Sequence, residues 1–404
     1  MNIDTFTNKY QMCTSCGLCQ SVFGMEKIEL EEHRGFYFPK EKKPLNKSDK
    51  QLFNNICPAV NMKGKISQDK KFDSVIGSYV AYYNGYSSDK HIRWKSSTGG
   101  GITSFSNFLL QEGYVDGILH IGEGKTVFKA EASISKTMDE ILNKSGSQYM
   151  PTSLLINIID YLEEDKLIAV IGKPCDIRAV NNLLEQFPKY KKKIFITISF
   201  LCGGIPSIDS TYSLVEKFGL QKSNVNKLKY RGEGWPGDFS ILSKDGTLKS
   251  MNYDEAWGEN LGRTVPLVCK VCVDSVGEYA DVVFGDAWEN DEKGYPVFTS
   301  RDGNNLIITR SNKGENLIKL ANEKGYLILK SEKTSQFRTI QPSQTIRRTT
   351  SKQRVLALKF TKLGSITFDK DHIQAISKNK YSFLKKIKFT LGTFRRVSKA
   401  KKNF

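Results

Sequence analysis

The chain has 404 residues, is 39% hydrophobic and 11% aromatic, and is long enough for two or three globular domains. Its net charge of +18 is concentrated in residues 331–404, which contain 19 Lys and Arg against three acidic residues. No stretch approaches the roughly 20 apolar residues of a membrane-spanning helix, and the N-terminus lacks the features of a secretory signal, so we expect a cytoplasmic protein.

In a reducing cytoplasm, eight cysteines are more typical of metal binding or redox chemistry than of disulfides. The four histidines are scattered without metal-ligand spacing, which predicts that any metal site is bound by thiolates alone. Thiolates favour iron–sulfur clusters or zinc over magnesium, calcium or manganese.

Residues 1–70 are predicted to form a loop-rich, ferredoxin-like segment. Cys13, Cys16 and Cys19 are separated by two-residue gaps, and Cys57 with Pro58 follows much later, as in bacterial ferredoxins. A structural zinc site is the alternative, although zinc knuckles usually come as two separated pairs. The pattern predicts one 4Fe-4S cluster bound by these four cysteines.

Residues 71–223 are predicted to form a central α/β domain. Strand-like segments begin near residues 79, 117, 166 and 194, and helical patterns at 100–112, 152–164 and 175–187 alternate with them. The last strand is a continuous apolar run, as expected of a strand covered on both faces. We therefore expect a mixed α/β fold with helices packed over a sheet.

Two polar turns in this domain are candidate phosphate sites. Ser97-Thr98-Gly99-Gly100-Gly101 opens the helix 100–112, where free amides favour anions and glycines allow close approach. The alternative is an ordinary capped helix after a flexible turn. The second candidate is the loop that contains Ser145, Ser147 and Tyr149.

The remaining cysteines suggest a second site. Cys175 and Cys202 each follow a predicted strand, at the sheet edge where α/β folds place ligands, and Cys269-x-x-Cys272 lies in a strand-rich region, 224–330. These four could bind a second cluster. From spacing alone, isolated buried cysteines acting as small apolar residues are an equally open reading.

The basic segment 331–404 is predicted to be a partly helical appendage. Lysines and arginines alternate there with apolar residues near helical spacing, namely Phe383, Leu384, Ile387, Leu391 and Phe394. This pattern indicates contact with an anionic membrane surface or an acidic partner. The alternative is a solvated helix that packs its apolar side on the main body. The segment has no nucleic-acid motif, so we expect no nucleic-acid binding.

Taken in order over residues 10–310, these motifs resemble the coenzyme F420 hydrogenase/dehydrogenase beta-subunit family. The matching segments are Cys13-Thr-Ser-Cys-Gly-Leu-Cys19, Cys57-Pro58, Ser97-Thr-Gly-Gly-Gly101, Ser145-Gly-Ser-Gln-Tyr149, Gly172-Lys-Pro-Cys-Asp176, Leu201-Cys-Gly-Gly-Ile-Pro-Ser207, Cys269-Lys-Val-Cys272 and Ala280-Asp-Val-Val-Phe-Gly-Asp-Ala-Trp288.

The resemblance implies an FAD over the α/β domain with its phosphates near Gly99–Gly101, and a 4Fe-4S cluster bound by Cys175, Cys202, Cys269 and Cys272. The Cys13 cluster would then face an electron-donor or electron-acceptor protein. Gly172 is a further candidate flavin contact in the loop before Cys175.

Three charged residues near these motifs are candidate functional groups. Lys173 and Asp176 replace the Thr and Gln usual in the family's loop, and we hypothesise that they act as catalytic residues at an open pocket beside the flavin. Arg231 is predicted to contact a flavin phosphate or an anionic substrate, with a surface salt bridge as the alternative.

The resulting prediction is an FAD- and iron–sulfur-dependent oxidoreductase that acts on a small-molecule substrate. Some bacterial relatives appear beside polysaccharide-building enzymes, which extends the prediction to surface-glycan synthesis. The alternatives are an electron-carrying or scaffold subunit without substrate turnover and a zinc-bound structural protein.

Overall fold

The computed structural model describes residue 3 and residues 5–64, 66–292, 297–363, 365–379 and 381–402. Its strands are β1 (Ile28–His33), β2 (Phe36–Glu41), β3 (Lys71–Asp73), β4 (Gly77–Tyr79), β5 (Ala81–Ser87), β6 (Gly117–Glu123), β7 (Ala130–Ser135), β8 (Ile168–Ile171), β9 (Ile194–Phe200), β10 (Val225–Lys229), β11 (Phe239–Ser243), β12 (Leu248–Met251), β13 (Val282–Asp286), β14 (Asn305–Thr309) and β15 (Leu327–Ser331).

The α-helices are α1 (Leu18–Phe23), α2 (Lys47–Ile56), α3 (Lys90–Lys95), α4 (Gly101–Gln111), α5 (Met138–Asn143), α6 (Ile158–Glu163), α7 (Pro174–Gln186), α8 (Ile208–Lys217), α9 (Leu267–Val271), α10 (Asn312–Glu323), α11 (Phe337–Ile340), α12 (Pro342–Thr349), α13 (Ser351–Lys359), α14 (Lys370–Ile376) and α15 (Phe383–Lys402). Tighter or wider helical turns occur at Thr5–Lys9, Pro188–Lys193, Lys222–Asn224, Asp254–Asn260, Leu261–Thr264 and Thr334–Gln336.

The centre of the fold is an eight-stranded mixed sheet with the order β15-β5-β14-β13-β9-β8-β6-β7. Strands β6, β8, β9 and β13 pair in parallel, whereas β7, β14, β5 and β15 pair antiparallel with their neighbours. Strand β5 runs parallel to β13 because both are antiparallel to β14. The carboxyl ends of β5, β6, β8, β9 and β13 therefore lie at one edge of the sheet.

Helices cover both faces of this sheet, which confirms the predicted α/β class. On one face, Phe105 of α4 and Ile318 of α10 pack with Ile196 and Ile198 of β9. On the other face, Ile177 of α7 packs in the larger core. The inner strands can be continuously apolar because neither of their faces meets water.

The strand-rich region 224–330 is divided between two sheets. Strands β10, β11 and β12 form a small antiparallel sheet whose buried Phe239 and Ile241 pack against helix α8. Strands β13 and β14 instead join the central sheet, and their residues 282–284 and 306–308 are almost fully buried. This long-range pairing makes the 224–330 region continuous with the α/β core.

The basic segment 331–404 packs into the core instead of forming an appendage. Phe337, Leu358 and Ile376 are at most 1% exposed and belong to the same apolar cluster as the N-terminal Met12 and Leu18. Other side chains of the segment remain in solvent, among them Ile346 of α12 and Leu356 of α13, each 46% exposed. Within the described residues, no helix is both long enough and apolar enough to cross a membrane.

Candidate functional site

The first four predicted ligands lie together beside the central domain. The thiol of Cys13 lies near those of Cys16 and Cys57, and the thiol of Cys19 lies near all three. None of them forms a disulfide in the described chain. The N-terminal motif and the distant Cys57 therefore form one group of four thiols, the first quartet.

A sharp turn shapes the loop that contains Cys13, Cys16 and Cys19. Gly17 has a φ of +86°, and a Cβ atom there would lie 2.8 Å from the backbone nitrogen of Ile156. The Leu155 amide donates to the Cys16 carbonyl at 2.8 Å and joins the loop to the central domain. Glycine is required at this position because the turn is left-handed and closely packed.

Backbone amides point at the sulfurs of the first quartet. The Ser15 amide donates to Cys13 Sγ at 3.3 Å. The amides of Leu18 and Gln20 donate to the next two thiols of the motif, and two amides beyond Pro58 donate to the thiol of Cys57. Hydrogen bonds to sulfur stabilise thiolate ligands and tune the potential of an iron–sulfur cluster.

Burial raises the pKa of all four thiols, and that of Cys57 rises to about 12. Neighbouring thiols add to this rise at Cys13, Cys19 and Cys57, so metal binding here would have to displace protons from the thiols. Among the described residues, no three His, Cys, Asp or Glu side chains converge on a single-ion position. Four thiols with backbone amides directed at their sulfurs fit the donor set of a 4Fe-4S cluster.

The other four cysteines also converge, at the carboxyl edge of the central sheet. Cys175 lies in the first turn of α7, after β8, and Cys202 follows β9; Cys269 lies in α9 and Cys272 ends that helix. One cavity is lined by all four side chains and by Thr14 and Pro58 of the first quartet's loops. This second quartet is therefore adjacent to the first.

Two thiols of the second quartet accept hydrogen bonds from backbone amides. Burial raises the pKa of Cys175 and Cys202, and raises that of Cys269 to about 12. The Gly204 amide donates to Cys202 Sγ, and the next amide donates to Cys269 Sγ. This donor set of four thiols fits a 4Fe-4S cluster.

Arg347 of α12 contacts the second quartet from the basic C-terminal segment. Its guanidinium donates to the Cys202 carbonyl at 3.1 Å and to the Gly203 carbonyl at 2.9 Å. Its positive charge opposes the burial-induced rise in the pKa of the Cys202 and Cys269 thiols. Sequence reasoning missed this residue, because nothing in a basic helix 145 residues away indicates where it folds back.

Lys173 and Asp176 form a buried ion pair between the two quartets. Lys173 Nζ lies 2.8 Å from Asp176 Oδ2 and donates to Thr152 Oγ1 at 2.7 Å. The Lys173 ammonium interacts with Cys13 and Cys16 of the first quartet and with Cys175 and Cys202 of the second.

This placement differs from the expected open pocket. Lys173 is 8% and Asp176 is 1% exposed, so neither carries out chemistry in contact with solvent. A catalytic role beside a flavin stays a prediction. The structure instead places this charged pair between the two groups of thiols, where the Lys173 charge acts on both.

The predicted phosphate-binding turn begins α4 and is tightly packed. Gly100 has a φ of +73°, and a Cβ atom on Gly99 or Gly101 would lie within 2.8 Å of Asn305 Oδ1. The Gly101 amide donates to the same oxygen at 2.9 Å, so Asn305 occupies one of the helix's free amides. Thr98 lies in the same turn.

The structure brings the two predicted phosphate sites together. A Cβ atom on Gly146 would lie 3.9 Å from Ser97 Oγ and 3.6 Å from the Arg231 carbonyl. Ser97 Oγ is buried and has no hydrogen-bond partner within the described chain. Ser145 donates to the Leu142 carbonyl at 2.7 Å, and the side chains of Ser147 and Tyr149 follow it in the same loop. An unpaired buried hydroxyl beside glycines suits a phosphate ligand.

Arg231 forms a buried ion pair with Asp286 at the end of β13. Its two terminal nitrogens each lie 3.0 Å from an Asp286 oxygen, and Trp235 Nε1 donates to the same carboxylate at 3.0 Å. The guanidinium stacks on the Tyr253 ring at 4.6 Å and is 3.5 Å from Tyr149 Oη. The ion pair is therefore internal, and a flavin-phosphate contact by Arg231 stays a prediction.

Gly172 lies three residues before Cys175 and has a packing role. A Cβ atom there would lie 2.6 Å from Leu154 Cδ2, and its carbonyl accepts from Ser199 at 2.9 Å. The predicted contact between Gly172 and the flavin is not tested by this geometry.

Two aromatic pairs that sequence reasoning missed lie near the candidate site. They are Tyr149 with Trp257 and Trp235 with Trp288, each with ring centroids 4.7 Å apart.

Two parts of the chain match one protein family. Residues 82–160 match the N-terminal part, and residues 165–335 the C-terminal part, of the coenzyme F420 hydrogenase/dehydrogenase beta subunit. Together these ranges cover more than half of the chain, which confirms the resemblance described above.

Named relatives come from methanogenic archaea. The chain is 27% identical over 205 residues to the F420-dependent formate dehydrogenase 1 subunit beta of Methanococcus maripaludis, which is 49% of this chain and 50% of that protein. It is 26% identical over 251 residues to the coenzyme F420 hydrogenase subunit beta of Methanosarcina barkeri, which is 58% of this chain and 79% of that protein. The chain thus spans about half the length of the first relative.

The fold is similar to one chain of the F420-reducing [NiFe] hydrogenase complex from Methanosarcina barkeri. The TM-score is 0.53 at 22% identity, and the match covers 71% of this chain and 96% of that chain.

Proposed function

Because this chain belongs to the coenzyme F420 hydrogenase/dehydrogenase beta-subunit family, we propose that it is an electron-transfer oxidoreductase subunit with two 4Fe-4S clusters and FAD. The observation that carries the proposal is the meeting of two four-thiol groups across one buried ion pair. Cys57, the last cysteine of the first quartet, and Lys173 are 116 positions apart in the sequence, yet the Lys173 ammonium interacts with thiols of both quartets.

The first quartet would bind one cluster and the second quartet the other. A flavin exchanges two electrons and a 4Fe-4S cluster one, so a protein with both can couple two-electron chemistry to single-electron transfer. The role of this chain is to hold the cofactors in fixed positions. Burial of the cysteine side chains would keep water away from the clusters. The backbone amides directed at the sulfurs would stabilise the negative charge of the thiolate ligands.

The convergence of Ser97, the glycine turn and the 145–149 loop supports a flavin phosphate site. These segments lie at the same sheet edge as the second quartet, because the carboxyl ends of β5, β8 and β9 meet there. Arg231 and Asp286 would hold the adjoining aromatic side chains in place. Lys173 and Asp176 would act through the clusters' electrostatic environment instead of touching the substrate.

A partner protein and a small-molecule substrate complete the proposal. The similar Methanosarcina barkeri chain is part of a hydrogenase complex, which supports a protein electron partner for this chain. Polysaccharide synthesis does not occur in the names of the relatives described above, so that role stays a prediction.

Anaerobic purification with quantification of iron, sulfide and FAD tests the proposal. We expect eight irons and one FAD per chain, with the flavin reducible by a small-molecule hydride donor such as reduced F420 or a nicotinamide. Eight irons without flavin would identify an electron carrier without substrate turnover. Colourless protein that contains only zinc after anaerobic reconstitution would contradict the proposal.

A further inference from the structure

The C-terminal half of α15 anchors this 20-residue helix to the body of the protein. Thr393, Val397 and Ala400 recur at three- and four-residue spacing and are at most 7% exposed. Their side of the helix packs against α13 and α9. One face of α15 is therefore fixed, and its orientation on the protein is set.

A second face carries large apolar side chains that the protein leaves in solvent. Phe383 and Leu384 are each 77% exposed, Leu391 is 60% exposed and Ile387 is 38% exposed. Phe383, Ile387 and Leu391 recur every fourth residue, so they form a continuous stripe along the helix. A stripe of this kind is costly in water and marks an interaction surface.

A third face is basic. At about 100° of rotation per residue, the exposed side chains of Lys385, Lys388, Arg395, Arg396 and Lys399 fall between the anchored face and the apolar stripe. The sequence has no acidic residue after Asp371. The helix thus places positive charge directly beside an exposed apolar stripe.

The charge pattern favours a lipid surface over a protein partner. Protein interfaces are depleted in lysine, whereas helices that lie in a membrane interface combine a Lys- and Arg-rich face with an apolar face. A charge of a single sign without interspersed acids complements a uniformly anionic surface. The apolar stripe is exposed over about two turns of the helix, from Phe383 to Leu391, where it can meet a flat surface.

We propose that α15 is a membrane-interface helix that docks this protein onto anionic lipid. Phe383, Leu384, Ile387 and Leu391 enter the boundary between headgroups and acyl chains, and the adjacent lysines and arginines bind phosphate headgroups. The chain is held at the surface without crossing it.

Flotation of the full-length, anaerobically purified holoprotein with vesicles tests this proposal. We expect binding to phosphatidylcholine–phosphatidylglycerol vesicles, with little binding to phosphatidylcholine alone and a decrease at high salt. The double variant Phe383→Ser/Leu384→Ser should bind about tenfold or more weakly, because two buried apolar side chains are lost from the interface. Lys385→Gln/Lys388→Gln should weaken binding several-fold and reduce its salt dependence.

The matched control is Leu248→Ser/Lys249→Gln, which replaces an exposed apolar and an exposed basic residue on β12 and should leave vesicle binding unchanged. Thermal midpoints should stay constant in every variant because all these side chains are exposed. If wild-type protein fails to bind anionic vesicles, or the α15 variants bind as wild type does, the proposal is wrong. A wild-type dimer that the Phe383→Ser/Leu384→Ser variant loses, together with absent vesicle binding, would instead make a second copy of the chain the occupant.

Discussion

The two thiol quartets reach the same arrangement by different routes. In the first quartet, three of four cysteines lie within seven consecutive residues, which include a left-handed turn at Gly17 and the start of α1. In the second, Cys175, Cys202 and the Cys269–Cys272 pair come from three segments that meet only because β8, β9 and α9 are neighbours. The first site is thus encoded locally, whereas the second is a property of the sheet.

The largest effect is expected when one cysteine ligand is removed from each quartet in turn. Cys16→Ser and Cys202→Ser should each remove about half of the iron, because a 4Fe-4S cluster needs four thiolates. Anaerobic iron analysis and electron paramagnetic resonance of the reduced protein would show different remaining signals in the two variants. Loss of the same signal in both would contradict the grouping.

A second prediction concerns the Lys173–Asp176 ion pair, which lies between the two quartets. Asp176→Asn keeps an acceptor for the Lys173 amide but removes the negative charge beside an ammonium that interacts with both quartets. We expect the reduction potentials of both clusters to rise, on the order of 100 mV, equivalent to about 2 kcal/mol. Redox titration followed by electron paramagnetic resonance measures both potentials.

A shift of only one potential would mean that the pair belongs to one site. Asp139→Asn is a suitable control, because Asp139 is an exposed carboxylate in the first turn of α5, away from both quartets. It should leave both potentials unchanged.

A third prediction concerns the local shape of the first quartet. Gly17→Ala adds a Cβ atom 2.8 Å from the Ile156 backbone to a residue with positive φ, and we expect a loss of roughly 2 kcal/mol in stability. The first cluster should be lost on heating before the second. Thermal scans monitored by the visible absorbance of the clusters measure this order.

The Gly113→Ala variant separates the effect of backbone strain at positive φ from the effect of a steric contact by the added Cβ atom. Gly113 also has a positive φ, of +68°, but nothing lies within 4 Å of the position of a Cβ atom. This variant should have the smaller loss of stability and should leave the order of cluster loss unchanged. An equal effect of the two variants would show that the contact with Ile156 is unimportant.

The smallest effect is expected from replacing Arg347, and it should be confined to the reduction potential of the second quartet's cluster. Arg347→Gln removes a positive charge and the guanidinium that holds the Cys202 and Gly203 carbonyls. We expect the second cluster's potential to fall by on the order of 50 mV, equivalent to about 1 kcal/mol, with the first unchanged. Arg347→Lys should restore most of the potential, because it keeps the charge. An equal fall in both potentials would contradict the separate placement of Arg347.

The sequence predicted the elements that carry the candidate site with good accuracy. The helical patterns at 100–112 and 175–187 correspond to α4, Gly101–Gln111, and α7, Pro174–Gln186, because their apolar spacing and their glycine or proline starts are local signals. Both quartets were also predicted, although the second depended on the family resemblance. The position of β13 and β14 in the central sheet was not predicted, since the pairing of strands that are distant in the sequence has no local signature.

The C-terminal segment shows where sequence reasoning stops. Its composition predicted a basic, partly helical appendage, yet Arg348 is completely buried and pairs with Glu278 at 2.8 Å. A charge that is expensive to bury is tolerated because a carboxylate and backbone carbonyls receive it, and no local pattern shows those partners. Arg347 was missed for the same reason.

By itself, the amino-acid sequence determined the ligand chemistry: eight thiols, a loop whose two-residue gaps curve around one centre, and a glycine turn that opens a helix. Only the tertiary structure decided which distant cysteines meet, and that Lys173 and Asp176 lie buried between the two quartets. It also decided that Arg347 of α12 contacts the second quartet, and that one face of α15 stays exposed. The physical reason is that spacing along the chain governs contacts within a turn, whereas the burial of apolar strands and helices governs contacts between segments.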